Sequence, residues 1–231
     1  MISQKHIKEC LSLGTSIYGV NLICATIFTG GLVRLCREQP FPWLGIVVAV
    51  PYLVIVVAMG YTRQAAAIGF LMYGFGYLVR ERVAAYLLFV LLAGMFHKTA
   101  FVFVVLVLFK PGSGKLKGIF GAIALIVFVG VAYLLEQAET YMLNYVENTM
   151  VSQGAEIRIL MNFLPALILF FYWKKWGQKF NGRWLWGIFS VLAMLCVPLV
   201  FIGSTAIDRL ALYLIPLQLV VCVNSPKLKT I

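Results

Sequence analysis

The 231-residue chain has little charge and few potential metal ligands. Only 12% of its residues are charged, and it contains 8 acidic residues and 2 histidines. Its five cysteines, Cys10, Cys24, Cys36, Cys196 and Cys222, are scattered, odd in number and without a CxxC pair. These absences exclude a disulfide framework and a zinc-finger type of site, so we expect no metal and no cofactor.

Apolar residues dominate what remains. Hydrophobic residues make up 62% of the chain and the mean hydropathy is +0.96, well above the range of water-soluble domains. In hydrocarbon each unpaired backbone group costs several kcal/mol, so long apolar runs must form helices. The sequence therefore predicts an all-α, polytopic transmembrane helical bundle, with residues 1–231 forming one transmembrane domain.

Hydropathy predicts about nine apolar segments, separated mainly by short polar loops. The one long loop runs around Glu136 to Glu156. The segments are Ser12 to Val33, Trp43 to Met59, Ala65 to Leu78, Val83 to Phe96, Thr99 to Phe109, Ile119 to Leu135, Ile159 to Trp173, Trp184 to Phe201 and Leu210 to Val223.

The stretch from Val83 to Phe109 is too long for one straight crossing. A helix of 27 residues would reach about 40 Å, against a hydrocarbon core of about 30 Å. Its middle carries the polar residues His97-Lys98-Thr99. We therefore predict a broken or re-entrant helix pair, in which two half-length helices meet at these residues and fold back as a hairpin.

The distribution of basic residues supports the hairpin. With it, thirteen of the 19 basic residues fall on one side of the membrane, and most acidic residues fall on the other. The thirteen are Arg34, Arg37, Arg80, Arg82, Lys110, Lys115, Lys117, Lys174, Lys175, Lys179, Arg183, Lys227 and Lys229. The positive-inside rule then predicts a cytoplasmic C-terminus, and it explains the net charge of +11 without a nucleic-acid partner.

This topology places the start of the chain on the non-cytoplasmic side, although Lys5 and Lys8 precede the first apolar segment and no signal peptide opens the sequence. Either a marginal first segment tolerates two lysines, or the chain lacks its natural beginning. We favour the second explanation.

Charged groups next to the apolar segments are candidates for function, because a charge at a helix centre costs at least about 2.5 kcal/mol on insertion scales. They are Arg63, His97, Lys98, Arg158, Asp208 and Arg209. In the hairpin topology all of them lie on the non-cytoplasmic side. Guanidinium groups beside an imidazole suit a lipid-linked phosphate or diphosphate, which arginine binds through two parallel hydrogen bonds.

Each candidate also has a purely structural explanation. Arg63 could extend along lipid to the interface, and His97 could bond a carbonyl freed by the helix break. Arg158 could balance Glu156, and Asp208-Arg209 could be a simple ion pair. Their shared side of the membrane favours function.

Several motifs resemble those of the EpsG-like family of bacterial membrane proteins. The first is Arg63-Gln64-Ala65-Ala66-Ala67-Ile68, followed about thirty residues later by Phe96-His97-Lys98-Thr99. Pro51-Tyr52-Leu53 and Asp208-Arg209-x-x-x-Tyr213 also resemble the family pattern. One departure is Lys98, which stands directly after His97 where the family has a small hydroxyl residue; Thr99 supplies the hydroxyl one position later.

The resemblance implies a Wzy-type polysaccharide polymerase, a metal-independent glycosyltransferase with a GT-C-like fold. Such a polymerase joins undecaprenyl-diphosphate-linked repeat units at the periplasmic face of the bacterial inner membrane, in exopolysaccharide, capsule or O-antigen synthesis. Implied partners are this lipid-linked glycan, the bilayer, and chain-length regulator and flippase proteins. Because family members usually carry more helices before the first segment, we expect this chain to be the C-terminal two-thirds of a longer polymerase. The sequence leaves open whether this part is active by itself.

The resemblance also implies roles for individual residues. Those expected to be catalytic are His97, Arg63 and Arg209. Those expected to bind the diphosphate are Arg63, Arg209, Arg158 and Lys98, and those expected to assist are Asp208, Thr99 and Gln64.

Two other functions remain open from the sequence: a transporter or flippase for the same lipid-linked sugar, and a non-catalytic membrane subunit of a polysaccharide export complex. A transporter should carry charges along a path through the membrane midplane. The interiors of the predicted segments are nearly free of charge, which favours the polymerase.

Overall fold

A computed structural model of the chain describes residues 4–109, 155–176, 182–200 and 204–229. Every regular element in these ranges is helical, which agrees with the predicted helical bundle. The predicted segment Ile119 to Leu135 and most of the long loop after it lie outside the described residues.

The described chain forms nine α-helices and two helical segments of other kinds. They are α1 (Gln4–Arg37), α2 (Pro42–Ala49), a π-helical segment (Val50–Ala58) that continues α2, α3 (Thr62–Val79), α4 (Val83–Phe96), a 3₁₀ segment (Lys98–Phe109), α5 (Ala155–Phe171), the one-turn α6 (Trp173–Trp176), α7 (Arg183–Leu199), α8 (Ser204–Leu214) and α9 (Pro216–Lys229).

The structure confirms the predicted hairpin between α4 and the 3₁₀ segment. The hydroxyl of Tyr86 donates a hydrogen bond to the carbonyl oxygen of Phe103 at 2.6 Å. In a straight helix these residues would lie about 25 Å apart, because each residue advances about 1.5 Å. The chain reverses at His97, whose backbone is extended (φ −149°, ψ 115°).

The last predicted segment, Leu210 to Val223, lies within the apolar stretch Ile207–Ser225 and contains a helix break. It is divided between α8 and α9, with a turn at Ile215 before Pro216. Proline has no amide hydrogen and its ring clashes with the carbonyl four residues earlier, so it ends or kinks a helix. α8 also begins earlier than predicted, at Ser204, which places Asp208 in its second turn.

Close backbone contact between α1 and α3 fixes the position of α3. A side-chain carbon on Gly31 would lie 2.2 Å from the carbonyl oxygen of Gly69, and one on Gly69 would lie 2.7 Å from the Cα atom of Phe28. Neither position accepts a larger residue without moving backbone. The glycines therefore let α3 pack deep in the bundle, where most of its residues are buried.

The helix ends form two clusters, which we call the Arg37 end and the His97 end. At the Arg37 end, the amide of Asn224 near the end of α9 donates to Gln39 after α1 at 3.0 Å. The His97 end contains residues 59–61 between the π-helical segment and α3, the hairpin turn at His97, and the first turns of α3, α5 and α8. Polar residues of the interior thus lie mainly at two opposite ends of the helices.

Within the ranges that the structure describes, two stretches are long and apolar enough to cross a membrane: Tyr18–Arg37 and Ile207–Ser225. Shorter apolar helices include Pro42–Ala58 and Arg183–Leu199. The first stretch is only 33% buried inside the protein, so much of its apolar surface faces outward. Exposed apolar surface of this size is typical of a protein that contacts a membrane or a partner.

Candidate functional site

A buried ion pair lies at the His97 end. The guanidinium of Arg158 at the start of α5 donates to the carboxylate of Asp208 in α8, with Nε–Oδ1 at 2.5 Å and Nη2–Oδ2 at 2.7 Å. The two side chains are only 14% and 7% exposed. This is the two-pronged geometry in which arginine binds a carboxylate most strongly. It differs from both structural alternatives drawn from the sequence, which paired Arg158 with Glu156 and Asp208 with Arg209.

Uncharged hydrogen bonds continue this contact between α5 and α8. Asn162 lies one turn after Arg158 on the same face of α5, and its amide donates to the carbonyl oxygen of Ala211 at 2.7 Å. The side chain of Gln218 donates to the oxygen of Asn162 at 2.9 Å. The ion pair is therefore continued by hydrogen bonds that join α5 to both α8 and α9, the two helices on either side of the break at Ile215.

The π-helical segment brings a tyrosine to the ion pair. The hydroxyl of Tyr52 is buried and lies close to Arg158, Asp208 and the hydroxyl of Tyr61. Pro51, directly before it, cannot donate a backbone hydrogen bond, and wide helical turns of this kind often occur at functional sites.

His97 contacts α8 on the side that carries Tyr213. Its Nδ1 atom lies 3.0 Å from the hydroxyl of Tyr213, which is 1% exposed. Arg209 lies four residues before Tyr213, on the same side of the helix. Burial lowers the pKa of His97 below its ordinary value of about 6.5, and the positive charge of Arg209 lowers it further, which favours the neutral imidazole.

Gln64 joins the start of α3 to α8. Its side chain is buried and donates to the carbonyl oxygen of Arg209 at 2.8 Å. This contact places the first turn of α3, which also carries Arg63, at the same end as His97.

The side chains of the remaining candidates lie at this end but form none of these hydrogen bonds. Arg63, Lys98 and Arg209 are exposed, and Thr99 is partly buried in the first turn of the 3₁₀ segment. Among the described residues, no side chain forms an ion pair or a hydrogen bond with the guanidinium of Arg63. The predicted site residues therefore share one end of the bundle, with an exposed cationic part and a buried polar part.

Sequence reasoning missed Asn162 and Gln218, and named Tyr52 and Tyr213 only within motifs. Asn162 carried a usable signal, because it is a polar residue in an apolar run, one helical turn after Arg158. In the described part of the chain, no group of three or more histidine, cysteine, aspartate or glutamate residues could hold a metal ion.

Comparison with known families agrees with these motifs. The model of the EpsG family matches residues 8–229, nearly the whole chain. The protein belongs to the EpsG family. No curated protein and no solved structure matches it. Membership confirms the resemblance seen in the sequence, and at family level it points to a membrane protein of the polysaccharide polymerase type.

Proposed function

We propose that this EpsG-family protein is a membrane polysaccharide polymerase that joins undecaprenyl-diphosphate-linked oligosaccharide repeat units. The observation that carries this proposal is the grouping of Arg209, the His97–Tyr213 contact and the Arg158–Asp208 pair at one end of an apolar helical bundle. A diphosphate with a long lipid tail needs cationic donors beside an apolar surface, and this end offers both.

The charge distribution supports a periplasmic location for this site. The Arg37 end carries the ends of α1 and α9, the connection between α3 and α4, the short helix α6 and the start of α7. These hold nine of the 15 basic residues that the structure describes: Arg34, Arg37, Arg80, Arg82, Lys174, Lys175, Arg183, Lys227 and Lys229. The positive-inside rule assigns such an end to the cytoplasm. In our proposal the opposite end, with His97, therefore faces the periplasm of a bacterial cell with an inner membrane.

The exposed arginines bind the diphosphate in this proposal. Arg63 and Arg209 are exposed at the His97 end, and Lys98 adds a third positive charge there. Arg158 has two guanidinium nitrogens directed at Asp208, so we assign it to holding α8 in place rather than to direct substrate binding. Gln64 serves the same purpose through the carbonyl oxygen of Arg209.

The reaction transfers a glycan from one lipid carrier to a sugar hydroxyl. The acceptor oxygen bonds to the anomeric carbon as the bond from that carbon to the diphosphate breaks. Negative charge grows on the departing diphosphate, where preorganised donors such as Arg63 and Arg209 lower the energy of the transition state. His97, partly buried beside them, orients the reacting oxygen atoms.

Polymer ladder formation from purified lipid-linked repeat units tests this function, with the full chain in proteoliposomes. Arg63→Lys keeps the charge but loses the paired donors, so we expect a rate reduced by about 10²- to 10³-fold per folded protein. His97→Ala should have an effect of the same order. The control is Arg80→Lys at the Arg37 end, which should polymerise at the wild-type rate.

Near-wild-type ladders from both Arg63→Lys and His97→Ala would contradict the proposed site. Complete absence of ladders with the unaltered chain, together with movement of the lipid-linked sugar across the membrane, would instead support a flippase.

A further inference from the structure

The hydroxyl of Tyr213 has one polar neighbour among the described residues, the Nδ1 atom of His97 at 3.0 Å. The phenol ring is 1% exposed and packs against Phe103 with ring centroids 5.4 Å apart. Its position is therefore fixed by packing, and the hydroxyl is aimed at the imidazole.

The chemistry of the two groups restricts where the imidazole proton lies. A neutral imidazole has one nitrogen that donates and one that accepts, and a phenol has a single hydrogen to donate. If Nδ1 carried the proton, it would donate to the tyrosine oxygen, and the buried phenol hydrogen would have no acceptor among the described residues. Leaving a buried donor unsatisfied is costly, so the arrangement in which Tyr213 donates to Nδ1 is favoured.

We propose that Tyr213 is a positioning residue that holds His97 as a neutral imidazole with its proton on Nε2. His97 then presents a hydrogen-bond donor, not a base, to the substrate. Resting on the proposed function, this inference names the group that His97 binds: an anionic oxygen of the lipid-linked diphosphate. Arg209, on the same face of α8 as Tyr213, supplies positive charge to the same anion.

The charged groups around His97 fit an anion rather than an acidic partner. From α8 it faces the cation of Arg209, and the next residue along the chain is Lys98. α3 contributes the uncharged amide of Gln64, which is bound to the backbone of Arg209. No described carboxylate contacts the imidazole, since Asp208 is paired with Arg158.

Proton transfer follows a different route from that of a histidine base. As the acceptor oxygen bonds to the anomeric carbon, its proton passes to an oxygen of the departing diphosphate, because Nε2 already carries a hydrogen. The Nε2–H group donates to another oxygen of that diphosphate while the bond to the sugar breaks.

Nitrogen NMR of histidine tests the proton position directly. The chain contains two histidines, His6 and His97, so in His6→Gln the only imidazole nitrogens are Nδ1 and Nε2 of His97. In the full chain, labelled with ¹⁵N-histidine and placed in nanodiscs above the pKa of His97, we expect an unprotonated Nδ1 and a protonated Nε2. A protonated Nδ1 would overturn the proposal.

Two phenylalanine variants show whether the hydroxyl of Tyr213 determines which nitrogen of His97 carries the proton. Tyr213→Phe keeps the ring and removes the hydroxyl, so the histidine signals should change to those of a mixture of the two tautomers. Tyr86→Phe also removes a buried hydroxyl, one bonded to Phe103 in the hairpin, and should leave the His97 signals unchanged. An unchanged spectrum in Tyr213→Phe would contradict the assignment.

Polymerisation rates distinguish a His97 that donates a hydrogen bond from a His97 that acts as a general base. The amide nitrogen of glutamine can donate from nearly the position of Nε2 but cannot take up a proton, so His97→Gln should keep at least about a tenth of the wild-type rate while His97→Ala loses 10²-fold or more. If His97→Gln is folded and as inactive as His97→Ala, the donor role is wrong. Because the spectra need no turnover, they remain decisive for the tautomer even if no polymer forms and the proposed function fails.

Discussion

The two ends of the bundle use arginine in different ways. At the Arg37 end guanidinium groups pack on aromatic rings: Arg183 lies 4.4 Å from the ring of Trp173, and Arg34 lies 4.6 Å from the ring of Tyr77. Arg80 pairs with Glu38 there, with side chains 60% and 28% exposed. Such contacts let long cationic side chains cover apolar surface while the charge stays in water.

At the His97 end, one ion pair is largely buried between two helices, beside the exposed side chains of Arg63 and Arg209. The Arg158–Asp208 pair is 14% and 7% exposed and joins α5 to α8, while Gln64 joins α3 to α8. Taking such groups out of water is expensive, so they persist where other contacts compensate or where function requires them. The comparison teaches that a buried ion pair and buried hydrogen bonds between helices, not the number of arginines, distinguish the His97 end from the Arg37 end.

Labelling with a membrane-impermeant thiol reagent tests whether the two ends lie on opposite sides of the membrane, and it should show the largest difference between them. In a background without the five native cysteines, Lys98→Cys should react in intact cells because the His97 end faces the periplasm in our proposal. Arg82→Cys, an exposed position at the Arg37 end, should react only after the inner membrane is opened. The reverse pattern would invert the topology and remove the periplasmic site.

Removing one carboxylate from each end compares the two ion pairs. Asp208→Asn leaves the partly buried Arg158 without its charge partner, so we expect the free energy of unfolding to fall by about 3 to 5 kcal/mol. Glu38→Gln breaks the exposed pair and should cost no more than about 1 kcal/mol. The measurement is denaturant unfolding of the purified protein in detergent, and equal losses would contradict the distinction between the ends.

The smallest effect concerns the pKa of His97. Arg209→Gln removes the nearby cation, so the pKa should rise toward 6.5 but stay below it, because burial is the larger cause of the lowering. The imidazole of this variant should therefore take up its second proton at a higher pH than the imidazole of the wild-type protein. NMR titration of the His6→Gln protein measures the shift.

The matched control is Arg80→Gln, from the Arg37 end, which should leave the pKa of His97 unchanged. A lower pKa in Arg209→Gln would show that the guanidinium does not act on the imidazole.

Local signals in the sequence predicted much of the fold. The bounds of α4 agree with the prediction, because an apolar run is interrupted there by a single polar cluster at His97. The hairpin followed from the length of that run and from the charges around it. Hydropathy alone predicted the apolar segment Leu210 to Val223 but not the break before Pro216, for which the proline itself was the signal.

The contacts within the site could not be predicted in the same way. Asp208 and Arg209 are neighbours in sequence, but successive residues on a helix point about 100° apart, so they face different helices. Asp208 reaches Arg158, 50 residues away, and Tyr213 reaches His97 across 116 residues. Such pairings depend on how the helices pack, which no single segment encodes.

Binding of a polyprenyl diphosphate without sugar tests most directly whether the His97 end holds the lipid-linked diphosphate. The purified full chain in nanodiscs would be compared with Arg209→Lys and with Arg80→Lys. Charge-assisted hydrogen bonds contribute about 1.5 to 3 kcal/mol each, so Arg209→Lys should weaken binding by about 10- to 100-fold while Arg80→Lys binds as wild type. Equal affinity of all three proteins, or a loss confined to Arg80→Lys, would contradict the account.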